Sequence, residues 1–392
     1  MTKNKKKSIS KFIHSSILFL VALLIIPIFS SWYLPAAETY MPVNLSTLIE
    51  IKDANKKPFF PFGFYFLSMN PQQRIKALHE IAAAGFNTMF VFWENLDEYG
   101  TFLDEAKRIG VHIITELKHH SNLGIVNEYK DKSAILAWGI ADDAGDRNSS
   151  DEILAFHQEV KAIDPQHYTY VSISNWTKKW EKYSHVADLI GGQSYPIGYP
   201  FDNKPKNLPN DLSEVSYVFN LGYAETQKNN RPVIANLQTF SWKGQRWPTA
   251  SEVYNMTYQA LIAGVKGILF YTYDDDENFI RDHPDIWNQV KSITPEIKKL
   301  TPVLLEGNLT KINTKFDDLL AGQWIHDSGI YLILINTSNR ETRQVALKIP
   351  AKAKGPAQAL FSGRPSGMVF QDGNLSGLIK AGDVHIYKLS KE

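Results

Sequence analysis

The chain has 392 residues, of which 44% are hydrophobic and 21% charged, and its formal net charge is +1 at pH 7. This composition is that of a globular protein and excludes a disordered or fibrous chain, while the length allows a domain of roughly 250 residues and a smaller one. There is no cysteine, which excludes disulfides, thiolate metal sites and a cysteine nucleophile.

The N-terminus has the order of a secretory signal. Five lysines precede an apolar run over residues 17–29, and small residues follow it. We predict a signal peptide or an uncleaved membrane anchor over residues 1–37 and a connector over residues 38–57. The protein would then be secreted or held in the cell envelope, and it would contact a membrane only through this segment, if the segment is not cleaved. Loss of residues 1–37 would remove five lysines and no acids, and the resulting net charge near −4 argues against a nucleic-acid partner.

From residue 58 onward, apolar runs of strand length alternate with segments of helical periodicity. The prolines of the first run place the start of its strand at Phe62. Glycines such as Gly85, Gly110 and Gly264 end several of the helical segments. The predicted strands cover residues 62–66, 87–93, 111–117, 134–140, 168–173, 189–192, 232–238 and 267–273. The predicted helices cover residues 71–84, 101–109, 151–163, 212–227, 251–263 and about 284–299.

This alternation predicts an α/β fold, a parallel (β/α)8 TIM barrel over residues 58–300. A doubly wound open sheet is the alternative, but the glycine-rich phosphate turn that normally follows its first strand is missing. From about residue 302, short alternating apolar segments separated by Asn, Gly and Ser predict a small antiparallel β-sandwich over residues 301–392. Because so small a domain has a limited core of its own, we expect it to pack on the barrel.

The fourth predicted strand ends in a group of carboxylates. Its continuously apolar run is typical of a strand buried on both faces, and it is followed by Asp142, Asp143 and Asp146. The C-terminal ends of barrel strands carry the chemistry of this fold, so these acids are candidate site residues. The alternative is that Asp142 or Asp143 caps the next helix.

Other polar and aromatic side chains also follow predicted strands and would converge on the same face of the barrel. Carboxylates for proton transfer, amides for sugar hydroxyls and aromatic rings for stacking are the equipment of a carbohydrate site. The candidate catalytic acids are Asp143, Asp142, Asp274 and Glu116. The candidate substrate-binding residues are Tyr65, Trp93, Glu94, His119, Asn175, Trp176, Gln193, Tyr195, Gln238 and Tyr273.

The segment Leu136 to Asp143, which reads LAWGIADD, resembles the fourth-strand pattern AWYIADEP of barrel glycoside hydrolases of clan A. The segments AGFNT from Ala84, RWPT from Arg246 and AGVKGI from Ala263 extend the resemblance, which covers about residues 58–390. It implies that Asp143 is the acid/base residue, where the family has Glu. We expect Asp142 to orient it. It also places the nucleophile at the end of the seventh strand, where this chain has Gln238.

Gln238 cannot be an anionic nucleophile, so the usual carboxylate pair of a retaining enzyme is missing as written. Either Asp274 or Glu116 substitutes, or the barrel binds sugar without cleaving it. The sequence therefore predicts an exported glycoside hydrolase-like protein acting on the O-glycosidic bonds of an oligo- or polysaccharide. The alternative is a catalytically inactive carbohydrate-binding or polysaccharide-handling envelope protein.

Metal and cofactor sites are not expected. His119 and His120 are adjacent, without a carboxylate partner at ligand spacing, and residues 274–276 lack the spacing of a calcium loop. We expect a monomer that needs no cofactor and whose partner is its carbohydrate substrate.

Overall fold

The computed structural model describes residues 50–92, 98–117, 123–174, 177–200, 208–209 and 211–392. Within these residues, eight parallel strands alternate with helices and close into a barrel, and two antiparallel sheets follow. The predicted (β/α)8 barrel with a terminal β-sandwich is confirmed. The predicted signal peptide or anchor lies outside the described residues. Among those described, no helix combines the length and the apolar content needed to cross a bilayer.

The barrel elements follow one another in the predicted order. The strands are β1 (Phe62–Phe66), β2 (Thr88–Phe92), β3 (His112–Glu116), β4 (Ile135–Ala144), β5 (Tyr168–Ile173), β6 (Leu189–Ser194), β7 (Val233–Gln238) and β8 (Gly267–Asp274). The helices are α1 (Pro71–Ala83), α2 (Tyr99–Ile109), α3 (Leu123–Tyr129), α4 (Ser150–Ile163), α5 (Thr177–Tyr183), α6 (Glu214–Gln227), α7 (Ala250–Ala263) and α8 (Pro284–Glu306).

Three helices differ from the predicted pattern. Helices α3 and α5 have seven residues each, and two turns are too short to show a helical period in the sequence. Helix α8 continues past the predicted end at Lys299, through Pro302, to Glu306. Val303 and Leu304 are buried in the core, so tertiary packing outweighs the local cost of the proline.

Strand residues face either the barrel interior or the surrounding helices. Tyr65 and Tyr170 lie in the interior. A Cβ atom at Gly191 of β6 would lie 2.2 Å from the Tyr170 hydroxyl oxygen, so only glycine leaves room for this ring. Trp138 packs on the helix side, where its Nε1 donates to Asp164 Oδ2 (2.8 Å). Trp138 is thus a core residue of the barrel.

The end of the predicted connector packs against the end of the barrel where the strands begin. Residues 51–59 form a short hairpin in which the Phe59 N–H donates to the Ile51 carbonyl (2.7 Å). Ile51 is buried in the barrel interior. The N–H of Lys52 donates to the hydroxyl of Tyr168 (3.1 Å), the first residue of β5. The hairpin therefore lies at the end of the barrel opposite the C-terminal ends of the strands.

The terminal domain is a sandwich of a five-stranded and a three-stranded sheet, in the orders β13-β16-β11-β10-β9 and β12-β15-β14. Its strands are β9 (Asn308–Lys311), β10 (Leu319–His326), β11 (Gly329–Asn336), β12 (Arg343–Lys348), β13 (Ala353–Ala359), β14 (Val369–Gln371), β15 (Asn374–Ile379) and β16 (Val384–Lys391). Tyr331, Ile333 and Ile335 of β11 join the core of the barrel helices, while Leu332 and Leu334 pack between the two sheets. The sandwich thus shares one apolar core with the barrel.

Polar contacts complete this seam between barrel and sandwich. Asn255 of α7 donates from Nδ2 to the carbonyl oxygens of Asn336 and Gly382 (both 2.9 Å). Arg364 of the sandwich donates from Nε to Glu296 of α8 (2.5 Å). Each domain therefore satisfies buried polar groups of the other.

Candidate active site

The acidic sequence of β4 lies at the C-terminal mouth of the barrel. The pairing of β4 with β5 shifts register twice after Gly139, and Asp143 has φ of 51°, in the left-handed region. A regular strand would send Asp142 and Asp143 to opposite faces. Because the bulged strand breaks this alternation, both side chains reach groups of the mouth.

Neither acid caps the following helix. Helix α4 begins at Ser150, and its N-cap is Ser149, whose side chain accepts from the Glu152 N–H in a complete capping box. Asp146 is paired with Lys179 of α5 (2.6 Å). The alternative interpretation of Asp142 and Asp143 as helix caps is therefore wrong.

Asp142 is held in an environment that disfavours its charge. Burial raises the pKa of its carboxyl from 3.8 to about 7, and the negative charges of Asp143 and Glu116 add to the rise. Hydrogen bonds from Ser172 and from the Asp143 backbone oppose it. The residue as a whole is half-buried, but its Oδ1 is fully buried and has no hydrogen-bond partner. Asp142 is thus a carboxyl that can carry a proton near neutral pH.

Asp143 makes the contacts of an anion. Its Oδ1 accepts from Gln193 Nε2 (2.9 Å) and its Oδ2 pairs with Arg147 (3.1 Å). The same Gln193 nitrogen also donates to Ser172 Oγ (3.0 Å). Gln193, a predicted sugar-binding residue, therefore positions Asp143 through one of its two N–H groups. The two neighbouring acids differ in their surroundings as catalytic acid and base residues do.

A chain of buried hydrogen bonds crosses the barrel behind these acids. The Tyr65 and Tyr170 hydroxyls are 2.8 Å apart, and Tyr170 donates to Asn236 Oδ1 (2.9 Å). Asn236 Nδ2 donates to the Tyr65 hydroxyl (3.1 Å) and to Ser172 Oγ (3.0 Å). Tyr65 is 1% exposed, so this predicted sugar-binding residue instead forms the floor of the mouth.

Tyr195 stands on the wall of the mouth after β6. Its ring packs edge-on against Phe240 and Trp242 (centroids 5.1 and 6.2 Å apart) and lies 5.8 Å from the ring of Tyr271. Its hydroxyl is buried without a hydrogen-bond partner, and burial and the charge of Asp142 raise its pKa well above 10. Tyr195 and Asp142 therefore each have one buried polar atom without a hydrogen-bond partner among the described residues.

Tyr271, rather than the predicted Tyr273, is the tyrosine of β8 that lines the mouth. Two positions of β1, Phe64 and Phe66, pair with Phe270 and Asp274 of β8, so β8 has extra residues at this point. The bulge turns Tyr273 outward, where it packs on Trp287 and hydrogen-bonds to Glu80. The prediction for Tyr273 is wrong, because regular alternation cannot be assumed across a bulge.

Asp274 belongs to a turn rather than to the acidic group of β4. Its side chain accepts from the Asp276 N–H (3.0 Å), and its carbonyl accepts from the Leu67 N–H (2.8 Å). Burial raises the pKa of Asp274, with added repulsion from other acids of the same loop. Asp275, the next residue of this loop, is the acid whose charge helps to raise the pKa of Tyr271 in the mouth, after the larger effect of burial. The sequence offered no signal to choose between these neighbouring acids.

Gln238 is committed to the protein backbone. Its Oε1 accepts from the Ile197 N–H (2.8 Å), and its Nε2 donates to the carbonyls of Ile197 (2.9 Å) and Phe240 (3.2 Å). The side chain is fully buried, so no donor of its amide is left for a sugar hydroxyl. The structure thus contradicts the prediction of Gln238 as a substrate-binding residue, because the chain after β6 needs its amide.

Glu116 is half-buried at the end of β3, and its charge is among those that raise the pKa of Asp142. The remaining candidate residues lie outside the described residues. They are Trp93, Glu94, His119, Asn175 and Trp176. Among the described residues, no group of three or more His, Asp or Glu side chains is arranged to hold a metal ion.

The barrel and its sandwich have the fold of glycoside hydrolases of known structure. A GH30 endoxylanase from Clostridium papyrosolvens C71 has a TM-score of 0.53 at 10% identity, covering 88% of this chain and 98% of that one. A family 39 glycoside hydrolase from Bacteroides cellulosilyticus WH2 has a TM-score of 0.55 at 11% sequence identity, covering 84% of this chain and 81% of that one. A GH51 arabinofuranosidase from Xanthomonas axonopodis pv. citri has a TM-score of 0.54 at 9% sequence identity, covering 88% of this chain and 97% of that one.

These similarities confirm the resemblance to barrel glycoside hydrolases at the level of the fold. No protein-family model matches the chain, and no curated protein sequence matches it either. At such low identity the shared fold does not carry the activity, which must be argued from the site.

Proposed function

We propose that this protein acts on the glycosidic bonds of an oligo- or polysaccharide and that Asp142 is its general acid. The observation that carries the proposal is the Asp142 carboxyl, whose pKa is raised to about 7 beside two other acids in an aromatic-lined barrel mouth. Its unpaired Oδ1 and the unpaired hydroxyl of Tyr195 add two buried polar atoms without protein partners. A sugar ring carries oxygens and hydroxyls that suit such atoms and faces that suit Tyr195 and Tyr271.

The proposed roles reverse those implied by the family pattern. Asp142 gives its proton to the glycosidic oxygen as the bond to the anomeric carbon breaks, and the alcohol leaves with that proton. A second carboxylate either takes a proton from the attacking water or attacks the anomeric carbon itself. Asp143 and Glu116 are the candidates, since their charges act most strongly on Asp142.

A non-catalytic carbohydrate-binding protein is the second candidate function. The observation that favours it is the end of β7, where Gln238 is locked to the backbone and Asn236 to Tyr65 and Tyr170. This position therefore has no carboxylate, and none can be supplied by a simple rotation of these side chains. The mouth would then bind a glycan by stacking and hydrogen bonds alone.

A panel of polysaccharides and aryl glycosides separates the two functions. Hydrolysis by the wild type that falls by at least about 100-fold in Asp142→Asn supports the acid role. Asp143→Asn and Glu116→Gln, tested singly, identify the second carboxylate. Asp151→Asn, an exposed acid in the first turn of α4, is the control for loss of a negative charge. Glycan binding without hydrolysis by the wild type would establish the second function.

The proposal places this activity outside the cytoplasm, since lysines and an apolar run open the sequence. Fractionation of cells that express the full chain or residues 38–392 tests this. Export of both forms would refute the assignment of residues 1–37 as the signal. We further propose a monomer, which the sedimentation coefficient of the purified protein tests.

A further inference from the structure

A cleft lies on the seam between the barrel and the sandwich, apart from the acids of β4. Its volume is about 500 Å³, which is within the range of ligand sites in proteins. The first turns of α7 and α8 line it on the barrel side, and the loops before β14 and β16 line it on the sandwich side. The polar side chains of this lining include Asp285 and Gln289 of α8 and Arg364 and Asp383 of the sandwich.

Arg364 is held rigidly in the wall of this cleft. Its Nε donates to Glu296 Oε1 (2.5 Å) and its Nη2 donates to Ser292 Oγ (2.8 Å). Its guanidinium carbon lies 4.2 Å from the centre of the Tyr254 ring. Its third nitrogen, Nη1, has no hydrogen-bond partner among the described residues. Arg364 therefore presents fixed N–H donors that the protein itself does not use.

The charges of the cleft disfavour an anionic ligand. The buried carboxylate of Glu296 already balances Arg364, whereas Asp285 has no ion-pair partner in the part of the chain that the structure describes. The nearest basic group to Asp383 is the ring of His385, 3.6 Å away. Burial lowers the pKa of His385 from 6.5, so this ring is mostly neutral at pH 7. Two carboxylates thus remain without a compensating charge.

The cleft combines donors with acceptors. Arg364 can only donate, and ionised Asp285 and Asp383 can only accept. A cation has no acceptor to offer Arg364, and an anion is repelled by the two carboxylates. A hydroxyl group both donates and accepts, so a neutral molecule with several hydroxyls satisfies both sides of the cleft.

The cleft opens at the same end of the barrel as the mouth, because α7 and α8 begin where their preceding strands end. Just before these helices, the rings of Trp247 and His283 stack with their centroids 3.5 Å apart. The same two rings line a further cavity of about 330 Å³, together with Ser241 and Asn278 of the loops after β7 and β8. Two cavities therefore follow one another along the same pair of loops, which suits a chain of sugars better than a single sugar.

We propose that the cleft at the barrel–sandwich seam is a second glycan-binding site, which holds a neutral stretch of polysaccharide away from the acids of β4. Arg364 Nη1 donates to a sugar oxygen, and Asp285 and Asp383 accept from sugar hydroxyls. This inference rests on the proposed carbohydrate function. It gives the sandwich a part in binding besides its part in the shared core.

The test is the retardation of the full chain in native gels that contain arabinoxylan, soluble starch or polygalacturonate. Every protein carries Asp142→Asn, so that the polymer is not degraded. The double variant Asp285→Ala/Gln289→Ala removes two hydrogen-bonding side chains of the cleft, and we expect the apparent Kd for the retained neutral polymer to rise about tenfold. Arg364→Lys keeps the charge opposite Glu296 but lacks the Nη1 donors, and a rise of about threefold is expected.

The matched control is Asp151→Ala/Gln158→Ala on α4. Asp151 and Asp285 are each the second residue of their helix, and Gln158 is exposed. This control should stay within about twofold of the parent protein. With Asp142 intact, the cleft variants should hydrolyse aryl glycosides at the wild-type rate within about twofold, because the cleft lies apart from the acids.

Unchanged retardation in both cleft variants would overturn the inference, and so would an equal loss in the control. Stronger retardation by polygalacturonate than by either neutral polymer would refute the neutral ligand. If no polymer retards the protein, the second site is refuted, although hydrolysis of aryl glycosides by the wild type would still support the proposed activity. Conversely, retardation that depends on the cleft supports the inference even if no substrate is hydrolysed.

Discussion

The C-terminal ends of β4 and β7 both lie at the mouth of the barrel, but their polar side chains differ in whether the protein satisfies their hydrogen bonds. At the β7 end, every hydrogen-bonding group of the Gln238 amide is engaged by the backbone after β6 or β7. At the β4 end, Asp142 is kept near its titration point and Oδ1 has no partner. The first arrangement stabilises the fold, whereas the second leaves a buried carboxyl oxygen without a hydrogen-bond partner.

The comparison shows why residue type at a strand end is a weak guide to function. Asn236, Gln238 and Gln193 are all amides suited to sugar hydroxyls, yet their donors are used within the protein. What separates a binding group from a structural one is whether the fold already satisfies its hydrogen bonds.

Gln238→Ala should give the largest effect. It strips three buried backbone groups of their partner, and we expect the free energy of unfolding to fall by roughly 2–4 kcal/mol, measured by urea denaturation. Gln238→Glu restores the family carboxylate, but an ionised carboxylate cannot donate to the two carbonyls. The loss in free energy of unfolding should therefore be greater at pH 8 than at pH 4. If Gln238→Glu were as stable as wild type at both values, the structural role of this amide would be refuted.

Asp142→Asn should alter how stability depends on pH. Since folding raises the pKa from 3.8 to about 7, the folded protein keeps a proton that the unfolded chain releases between these values. The stabilising contribution of that proton is full below about pH 4 and is lost as pH rises through about 7. Between pH 4 and pH 8, the free energy of unfolding of the variant should therefore rise by on the order of 2 kcal/mol relative to that of wild type. This is about half of the full linkage value, because Asp142 is only half-buried.

The measurement is a pair of urea denaturation series on the two proteins. Asp151→Asn, whose side chain is exposed, should track the wild type across the same range. A constant difference between Asp142→Asn and wild type at all pH values would mean that Asp142 titrates normally.

Tyr65→Phe tests the link between the two strand ends. It removes the hydroxyl that bonds to Tyr170 and Asn236, and one lost buried hydroxyl should cost about 1–2 kcal/mol of unfolding free energy. The crystal structure of the variant should show the Asn236 amide displaced from its present position. A variant of full stability with Asn236 unmoved would show that the chain across the barrel does not hold this side chain.

Arg147→Ala should have the smallest effect. The pair with Asp143 is solvent-exposed, with 67% of the arginine side chain accessible, so its loss should change the unfolding free energy by less than about 0.5 kcal/mol in thermal denaturation. Gln193→Ala, which removes the buried contact to the same carboxylate, should cost more. A reversed order would mean that Arg147 and not Gln193 holds Asp143.

The sequence by itself determined the architecture. Apolar runs alternating with helical periodicity predict eight barrel strands, and the change of texture near residue 302 predicts the sandwich, because burial imposes these periods on any chain of this fold. It also identified the acidic end of β4, since carboxylates directly after a buried strand stand out locally. The sequence did not predict short helices such as α3, because two turns are too few to show a helical period. It did not predict the extension of α8 either, because that extension depends on tertiary packing.

Only the tertiary structure decided what each site residue does. The bulge in β8 places Tyr271 rather than Tyr273 at the mouth of the barrel, and the bulge in β4 lets both Asp142 and Asp143 face the mouth. The difference between Asp142 and Asp143 depends on β3, β5 and β6, which supply Glu116, Ser172 and Gln193. These partners are 26 to 51 residues away along the chain, and a pKa or a satisfied hydrogen bond depends on distances in space that no local pattern encodes.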